Sequence, residues 1–430
     1  MKIKVTDKTY EEVLSLPGEK HIYPVKQKKF YRMLMKFLAK KELKDINFKY
    51  DEVNMDKLQA SDPALFLMNH SSFTDLAIAT TMLSDRQYHI VMTNDGMIGK
   101  AGLMRKIGCI PTKKFITDTM LIKDMVYAVT KLNSSILMYP EASYSFDGTQ
   151  TPLPDSLGKC IKLLKIPVVM IRTKGAFLRD PLYNNLQKRK VDVSATVKYI
   201  ISKQDAIEKS EDEINAILKE SFTYDHFKEQ MASGIIIDED FRADGLERVL
   251  YKCMKCGCEN QMLGAGTKIS CQNCGDTHEL MPDGRLRHEG GPTKYEFVTD
   301  WYSYERDAVL EEIKLGTYKL DTDVEIMMIV DNRSMYRIGS GHLTHSSKGF
   351  ELTGAEGKLH FTMSVPKSYS LYADYFWYEI GDMIAIGDSK VQYYCFPKSR
   401  LPVAKTRLAA EKLYKLKIES SKVTIQNPLE

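Results

Sequence analysis

The chain has 430 residues, more than a single hydrophobic core usually organises, so two or three domains are expected. An apolar fraction of 43% and a charged fraction of 27% exclude a disordered or fibrous chain. Its 61 basic and 57 acidic residues give a net charge of +4, which is too balanced for a surface that binds nucleic acid throughout.

The N-terminal segment, residues 1–50, predicts a basic amphipathic helix over residues 26–41 and no signal peptide. Its apolar face holds Phe30, Met33, Leu34, Phe37 and Leu38, and its other sides carry Lys26, Lys29, Arg32, Lys36 and Lys40. The apolar face could dock on the protein's own core or on a membrane, and the scarcity of acidic residues among the cations favours anionic lipid. No apolar run approaches the ~18 to 20 residues of a spanning helix. We therefore expect a cytoplasmic protein, peripheral at the inner membrane face.

Residues 51–245 alternate apolar runs with helical patterns, which predicts an α/β domain with a mixed sheet flanked by helices. The predicted strands are Ala64 to Met68, Ile90 to Met92, Ile136 to Tyr139, Pro167 to Ile171 and Val191 to Ile201. The predicted helices are Asp75 to Leu83, Asp118 to Leu132 and Leu157 to Leu164, with a charged helical stretch from Lys203 to Glu229. Short, wholly apolar strands suit a sheet that is covered on both faces.

Residues 246–298 contain two Cys-x-x-Cys pairs, each followed by glycine, which is typical of a zinc ribbon. The expected ligands are Cys253, Cys256, Cys271 and Cys274. Four thiolates leave no open position for water, so the zinc would be structural. Cys258 is a surplus thiol that could replace Cys256. Acidic residues are mixed with the basic ones here, so nucleic acid is not an expected partner.

Residues 299–430 look β-rich and end in a predicted helix from Val403 to Lys417. This order resembles pleckstrin-homology-like modules, by topology alone. Binding of lipid headgroups, binding of a carrier protein and simple packing on the preceding domain all remain open for this region.

The sharpest local feature is the sequence FLMNHSSFTDLAIAT, in which an apolar strand ends at Asn69-His70. Ser71 or Ser72 is expected to cap the following helix and to place Asp75 in its first turn, within reach of the His70 imidazole. An imidazole with a pKa near ~6.5 can take a proton from a hydroxyl at neutral pH. Spacing alone does not decide, because His278 and Asp283 repeat it within the cysteine-rich region.

Four short blocks in order over residues 69–171 resemble the glycerolipid acyltransferase family, whose members acylate lysophosphatidic acid and related lysophospholipids. The first block, NHSSFTD from Asn69 to Asp75, matches the family's NHxSxxD. The other three are GCIPTKK from Gly108 to Lys114, YPEASYS from Tyr139 to Ser145, and IPVV from Ile166 to Val169. The order of the four blocks is far more specific than any one of them.

The resemblance implies transfer of a fatty acyl group from acyl-CoA or acyl carrier protein to a lysophospholipid hydroxyl. His70 would be the general base, Asp75 would orient it, and nearby backbone amides would stabilise the oxyanion. The implied substrate-binding residues are Asn69, Lys113, Lys114, Glu141, Ser143 and Ser145.

The chain departs from the family at two of these blocks. Ala142, Ser143 and Tyr144 stand where the family has Gly, Thr and Arg, and Lys114 replaces a second arginine. Arginine grips phosphate through a planar fork that lysine and tyrosine lack, so the acceptor could be a lysophospholipid other than lysophosphatidic acid. The alternative function is a non-catalytic lipid- or protein-binding adaptor on an acyltransferase scaffold, although the intact His70 and Asp75 argue against it.

Overall fold

The computed structural model describes residues 3–116 and 118–426, and its first elements belong to two different domains. These elements are β1 (Val5–Asp7), α1 (Tyr10–Leu14) and α2 (Lys29–Asp45). β1 pairs in parallel with a strand near the other end of the chain, through Val5 and Met335. α2 instead packs on the α/β domain that follows it. No helix among the described residues is both long enough and apolar enough to cross a bilayer.

A mixed seven-stranded sheet forms the centre of the α/β domain, as predicted. Its elements are β2 (Lys49–Val53), β3 (Leu65–Met68), α3 (Asp75–Met82), β4 (Tyr88–Thr93), α4 (Ala101–Lys106), β5 (Cys109–Thr112), α5 (Thr119–Leu132), β6 (Ser135–Met138), α6 (Ser156–Leu164), β7 (Val168–Lys174), α7 (Ala176–Arg179), β8 (Ser194–Ile201), α8 (Lys203–Glu208), α9 (Glu211–Ser221) and α10 (His226–Ser233). The strand order is β2-β8-β7-β3-β6-β4-β5, and β8 runs antiparallel to β7. The polar edge strand β2 is exposed throughout, so it gave no apolar signal in the sequence.

Hydrophobic cores cover both faces of this sheet. Alternate residues of β3 point to opposite sides, so Phe66 and Met68 join one core while Leu65 and Leu67 join the other. All four side chains are at most 2% exposed. Because β3 is buried on both faces, its carboxyl end is held rigidly in the middle of the domain, and the segment that follows it begins from a fixed point.

The remainder of the chain forms two antiparallel sheets. The cysteine-rich region has β9 (Met262–Ala265), β10 (Lys268–Cys271), β11 (Thr277–Leu280) and β12 (Leu286–His288), followed by α11 (Val298–Lys314). The C-terminal domain has β13 (Leu320–Ile329), β14 (Met335–Ser346), β15 (Gly349–Gly354), β16 (Leu359–Met363), β17 (Tyr372–Trp377), β18 (Gly381–Gly387), β19 (Gln392–Pro397) and α12 (Val403–Gln426). Its strand order is β16-β15-β14-β13-β19-β18-β17, and β1 adds to β14.

The region predicted to be β-rich from Thr299 therefore begins with a 17-residue helix, α11, which the sequence interpretation missed. The final helix starts at Val403 as predicted and extends beyond Lys417. Seven antiparallel strands followed by a helix agree with the order expected from the sequence, and the likeness to pleckstrin-homology modules stays a prediction.

The C-terminal domain packs directly against the α/β domain. Tyr372 donates a hydrogen bond from its hydroxyl to Asp95 at 3.2 Å, and the ring of Tyr375 stacks on Phe146 at 4.3 Å between centroids. The amide of Gly99 donates to the carbonyl of Asn332 at 2.8 Å. These contacts fix the C-terminal domain beside the segments that follow β4 and β6.

Candidate active site

The loop between β3 and α3 is folded around the carboxylate of Asp75. Asp75 is the first residue of α3, as the sequence predicted, and its Oδ2 accepts hydrogen bonds from the amides of Ser71 at 2.8 Å and Ser72 at 3.0 Å. The predicted serine cap is wrong, because Thr74 occupies the N-cap position and makes no side-chain cap hydrogen bond. The carboxylate of Asp75 holds the loop in place instead, through its hydrogen bonds with the two serine amides.

His70 lies against this carboxylate. Its Nδ1 is 3.1 Å from Oδ2 of Asp75, and the two side chains are 17% and 1% exposed. Burial, with a further contribution from the positive charge of Lys114, holds the pKa of His70 well below its usual value. Burial raises the pKa of Asp75 to about 7, against the amides of Ser72 and Ser71, which lower it. The imidazole is therefore neutral at neutral pH, and an Nδ1–H donated to Asp75 leaves the lone pair of Nε2 available as a base.

Two tyrosines enclose the faces of this imidazole. The ring centroid of Tyr144 lies 3.9 Å from that of His70, and the centroid of Tyr139 lies 4.4 Å from it. Both tyrosines come from the segment after β6, where Ala142 adopts a φ of +56°. This left-handed conformation favours glycine and costs alanine roughly 1 kcal/mol. Ala142 thus adopts the left-handed backbone conformation that a glycine would adopt most easily.

Glu141 packs against the buried side of the loop between β3 and α3 and stabilises it. Its carboxylate is fully buried and accepts hydrogen bonds from the amides of His70 at 3.0 Å and Thr151 at 2.7 Å and from the hydroxyl of Tyr224 at 2.9 Å. Burial raises its pKa to about 7, whereas these donors lower it. Glu141 is not among the residues that line the cavity beside His70. Its contacts make it a residue that positions the His70 backbone.

Three more residues with predicted substrate contacts are also buried in the supporting layer. Asn69 accepts from the amide of Thr173 at 2.8 Å, and the amide of Ser145 donates to the carbonyl of His70 at 3.1 Å. Ser143 accepts a hydrogen bond from Arg407 at 3.2 Å. Each of them holds a loop of the site. A direct contact with substrate stays a prediction for all three.

The backbone amides nearest to the base are also engaged. The amide of His70 donates to Glu141, and those of Ser71 and Ser72 donate to Asp75. Because these three amides already donate to carboxylates, they are not free to bind a developing oxyanion. This loop therefore does not support the expectation that backbone amides near His70 stabilise the oxyanion.

A cavity of about 760 Å³ opens beside His70. Its wall includes the predicted residues Lys113 and Lys114 together with many apolar side chains from β4, α5 and α6. The Nζ of Lys114 lies 3.9 Å from the centre of the Tyr372 ring, and Lys113 donates to the carbonyl of Ser389. Both lysines therefore face the cavity while the C-terminal domain holds them.

The C-terminal domain also supplies part of the cavity wall, which the sequence interpretation missed. The residues that it contributes are Pro366, Lys367, Ser368, Tyr369, Tyr378 and Tyr414. Behind the wall, Arg407 of α12 donates to Ser143 and to the carbonyl of Tyr144 and lies over the ring of Phe146. No local pattern could have linked these residues to His70, because they are about 300 to 340 positions away in the chain.

The four predicted metal ligands come together in the cysteine-rich region. Sγ of Cys253 is 3.7 Å from that of Cys274, and Sγ of Cys256 is 3.7 Å from that of Cys271. All four lie within 4.8 Å of one another and could hold a metal ion. Cys258 lies next to the cluster, and its sulfur accepts a hydrogen bond from the side chain of Asn273. It is not one of the four converging thiols, so it does not replace Cys256 in this arrangement.

The second histidine with a carboxylate five positions later does not form a comparable pair. Nε2 of His278 contacts Asp276 at 3.0 Å, whereas Asp283 pairs with Arg285 at 2.7 Å. His288 also contacts Asp276, at 3.1 Å. The spacing that His278 shares with His70 thus carries a different contact, and of these two histidines only His70 lines the large cavity.

Comparison with known proteins bears on the region that contains the His70 loop. Residues 49–174 match the family model described as Acyltransferase. No curated protein matches the chain. Among solved structures, the 1-acyl-sn-glycerophosphate (LPA) acyltransferase PlsC from Thermotoga maritima is similar, with a TM-score of 0.35 and 12% identity, over 45% of this chain and 77% of that chain. The segment that holds His70, Asp75 and Glu141 lies within the part of the chain that matches this family model.

Proposed function

We propose that this protein transfers a fatty acyl group from a thioester, acyl-CoA or acyl carrier protein, to the hydroxyl of a lysophospholipid. The observation that carries the proposal is the pairing of His70 with the buried Asp75 at the edge of a cavity of about 760 Å³. A neutral imidazole oriented by a carboxylate is a competent general base. The family match over residues 49–174 supports acyl transfer as the reaction.

In the proposed step, Nε2 of His70 takes the proton of the acceptor hydroxyl while its oxygen attacks the thioester carbonyl carbon. A carbon–oxygen bond forms, the carbon–sulfur bond breaks, and the leaving thiolate receives the proton from the imidazolium. Asp75 stabilises that imidazolium through Nδ1. Lys114, whose charge already acts on His70, would stabilise the negative oxygen of the tetrahedral intermediate.

The cavity lining supports an acceptor or donor that is both apolar and anionic. Side chains such as Met92, Ile122 and Met138 would contact an acyl chain, and Lys113 and Lys114 would attract phosphate. Lysine offers a point charge in place of a bidentate fork, so we propose an acceptor other than lysophosphatidic acid. A panel of lysophospholipids with different headgroups tests this, and clear preference for lysophosphatidic acid would contradict it.

The His70→Ala variant tests the activity itself. Purified protein is given an acyl thioester and mixed lysophospholipids, and the acylated product is measured by mass spectrometry. Loss of the base should lower the rate by about 10²- to 10⁴-fold. His360→Ala is the matched control, because His360 is a surface residue of the C-terminal domain that pairs with Glu351. Equal product from all three proteins would leave the non-catalytic adaptor as the better explanation.

We also propose that α2 docks the protein on an anionic membrane at the cytoplasmic face. The apolar face identified in the sequence is exposed: Phe30 by 68%, Phe37 by 71% and Leu38 by 67%. The helix packs on the domain through other residues, with Arg32 and Lys36 bonded to Ser84. These two cations therefore hold the helix in place, while several other lysines of the helix remain exposed beside the apolar face.

Vesicle sedimentation tests the docking proposal. The protein should bind vesicles that contain anionic phospholipid, and binding should weaken with salt. Phe37→Glu should abolish most of it. Leu315→Glu is the matched control, since Leu315 is 75% exposed at the end of α11 and far along the chain from α2. Equal binding of both variants would contradict a role for α2.

We further propose that the four cysteines hold structural zinc. Zinc–thiolate bonds of about 2.3 Å in a tetrahedron place sulfur atoms about 3.8 Å apart. The two observed distances of 3.7 Å fit that geometry. Zinc bound there would stabilise the small four-stranded sheet and would take no part in the reaction.

A further inference from the structure

The His70 imidazole is held by aromatic rings on both faces as well as by a carboxylate at one edge. Tyr144 approaches most closely, with 3.9 Å between ring centroids and 30° between ring planes. Phe73 stacks on Tyr144 at 5.2 Å. The imidazole cannot tilt toward either face without displacing a ring, and one edge is bound to Asp75. Its other edge, with Nε2, is therefore the part presented to the cavity.

We propose that Tyr144 is a positioning residue for the His70 base: its ring fixes the direction of Nε2 and stabilises the imidazolium that forms during transfer. The inference deepens the proposed function and rests on His70 being its base. An aromatic face attracts a cation within about 6 Å through its quadrupole, so stacking favours the protonated imidazole over the neutral one. Burial has the opposite effect, and Tyr144 offsets part of it.

The position of Tyr144 is set by the C-terminal helix. Arg407 donates to the carbonyl of Tyr144 at 3.3 Å and to the hydroxyl of Ser143 at 3.2 Å. Arg407 is 3% exposed and its guanidinium lies 4.6 Å from the centre of the Phe146 ring, so it cannot move freely. α12 thus holds the turn that places the tyrosine ring over the base.

The other groups around His70 stay in place when only the Tyr144 ring is changed. They are Asp75 from α3, Lys114 after β5, Tyr139 and Glu141 after β6, Asp180 through Ser72, and His226 through Ser71. Tyr144→Leu removes the aromatic face and keeps an apolar side chain of similar burial. Tyr144→Phe keeps the face and removes only the hydroxyl. Comparing the two variants therefore separates the effect of the aromatic ring on His70 from the effects of the hydroxyl and of burial.

The test compares these two variants with the unmodified protein and with Tyr50→Leu, a tyrosine-to-leucine change on the exposed edge strand β2. The pKa of His70 is measured by NMR titration of its ring carbons, and kcat and KM are measured across pH. Tyr144→Leu should lower that pKa by about 0.5 to 1 unit and lower kcat about tenfold or more, with KM within threefold. Tyr144→Phe and Tyr50→Leu should stay within twofold of the unmodified protein.

An unchanged His70 pKa and an unchanged kcat in Tyr144→Leu would overturn the proposal. The NMR titration requires no substrate, so it separates the two hypotheses. A shifted pKa in a protein without transferase activity would refute the proposed function and with it a role of Tyr144 in transfer, and would leave only the effect of the ring on the His70 imidazole. Thermal unfolding verifies that each variant folds, and Tyr144→Met carries the same comparison if the leucine variant does not.

Discussion

Asp75→Asn separates the charge of Asp75 from its geometry. Oδ2 of Asp75 accepts from His70, Ser71 and Ser72, and an asparagine oxygen in the same place could accept all three hydrogen bonds. Oδ1 is buried and has no hydrogen-bond partner among the described residues, so the asparagine NH₂ would replace it without breaking a contact. At pH 8, above the Asp75 pKa of about 7, the loop should therefore keep its shape while the negative charge next to His70 disappears.

The size of the effect follows from the 3.1 Å between Nδ1 and Oδ2. At an effective dielectric constant of about 20, two unit charges at that distance attract by about 5 kcal/mol. Each ~1.4 kcal/mol lost from the transition state lowers the rate tenfold, which sets an upper bound of about 10⁴. The 17% exposure of His70 adds screening by water, so we expect kcat to fall by about 10²- to 10³-fold with little change in KM.

The assay is steady-state formation of the acylated lysophospholipid, with thermal unfolding to check the fold. Asp283→Asn is the matched control, because Asp283 has the same spacing from a histidine but pairs with Arg285. Its activity should equal that of the unmodified protein. A rate within threefold of normal for Asp75→Asn would refute the argument that this carboxylate stabilises an imidazolium.

Three other predictions concern Glu141, the pH dependence of the rate and the cysteine cluster. Glu141→Gln turns one carboxylate oxygen into an NH₂ that faces the amide donor of either His70 or Thr151, so it should lower the free energy of unfolding by about 2 kcal/mol in urea titration at pH 8; an unchanged midpoint would contradict this. The rate should fall on the acid side in two steps, as Asp75 is protonated near its pKa of about 7 and His70 at lower pH. Lys114→Met should move the lower step to higher pH because it removes a cation that lowers the pKa of His70, and an unmoved step in the pH–rate profile would contradict this. A chelator should release about one zinc ion per chain and lower the thermal stability of the cysteine-rich region. Cys256→Ser should likewise lose the metal, whereas Cys258→Ser should retain it. Equal metal content in both serine variants would contradict the assignment of ligands.

The elements that the sequence interpretation missed lacked a local signal or carried a misleading one. α11 begins with Val298, Thr299, Trp301 and Tyr302, which are residue types common in strands. They form a helix because Trp301 and its neighbours are buried in the core between the last two domains, and tertiary packing overrides the propensity. For α2 the sequence identified the apolar face, but only the packing of the helix on α3 revealed that this face is exposed.

The sequence by itself determined the His70–Asp75 contact and the convergence of the four cysteines, because short spacing along one strand–loop–helix segment or within paired knuckles fixes the distance between side chains. It also determined the mixed α/β sheet, since apolar runs and helical periods are local patterns. Only the tertiary structure decided that Tyr144 covers the base, that Arg407 holds its turn from 263 positions away, and that the C-terminal domain supplies part of the cavity wall. Contacts of such long range depend on how whole domains pack together, and no spacing in the chain encodes them.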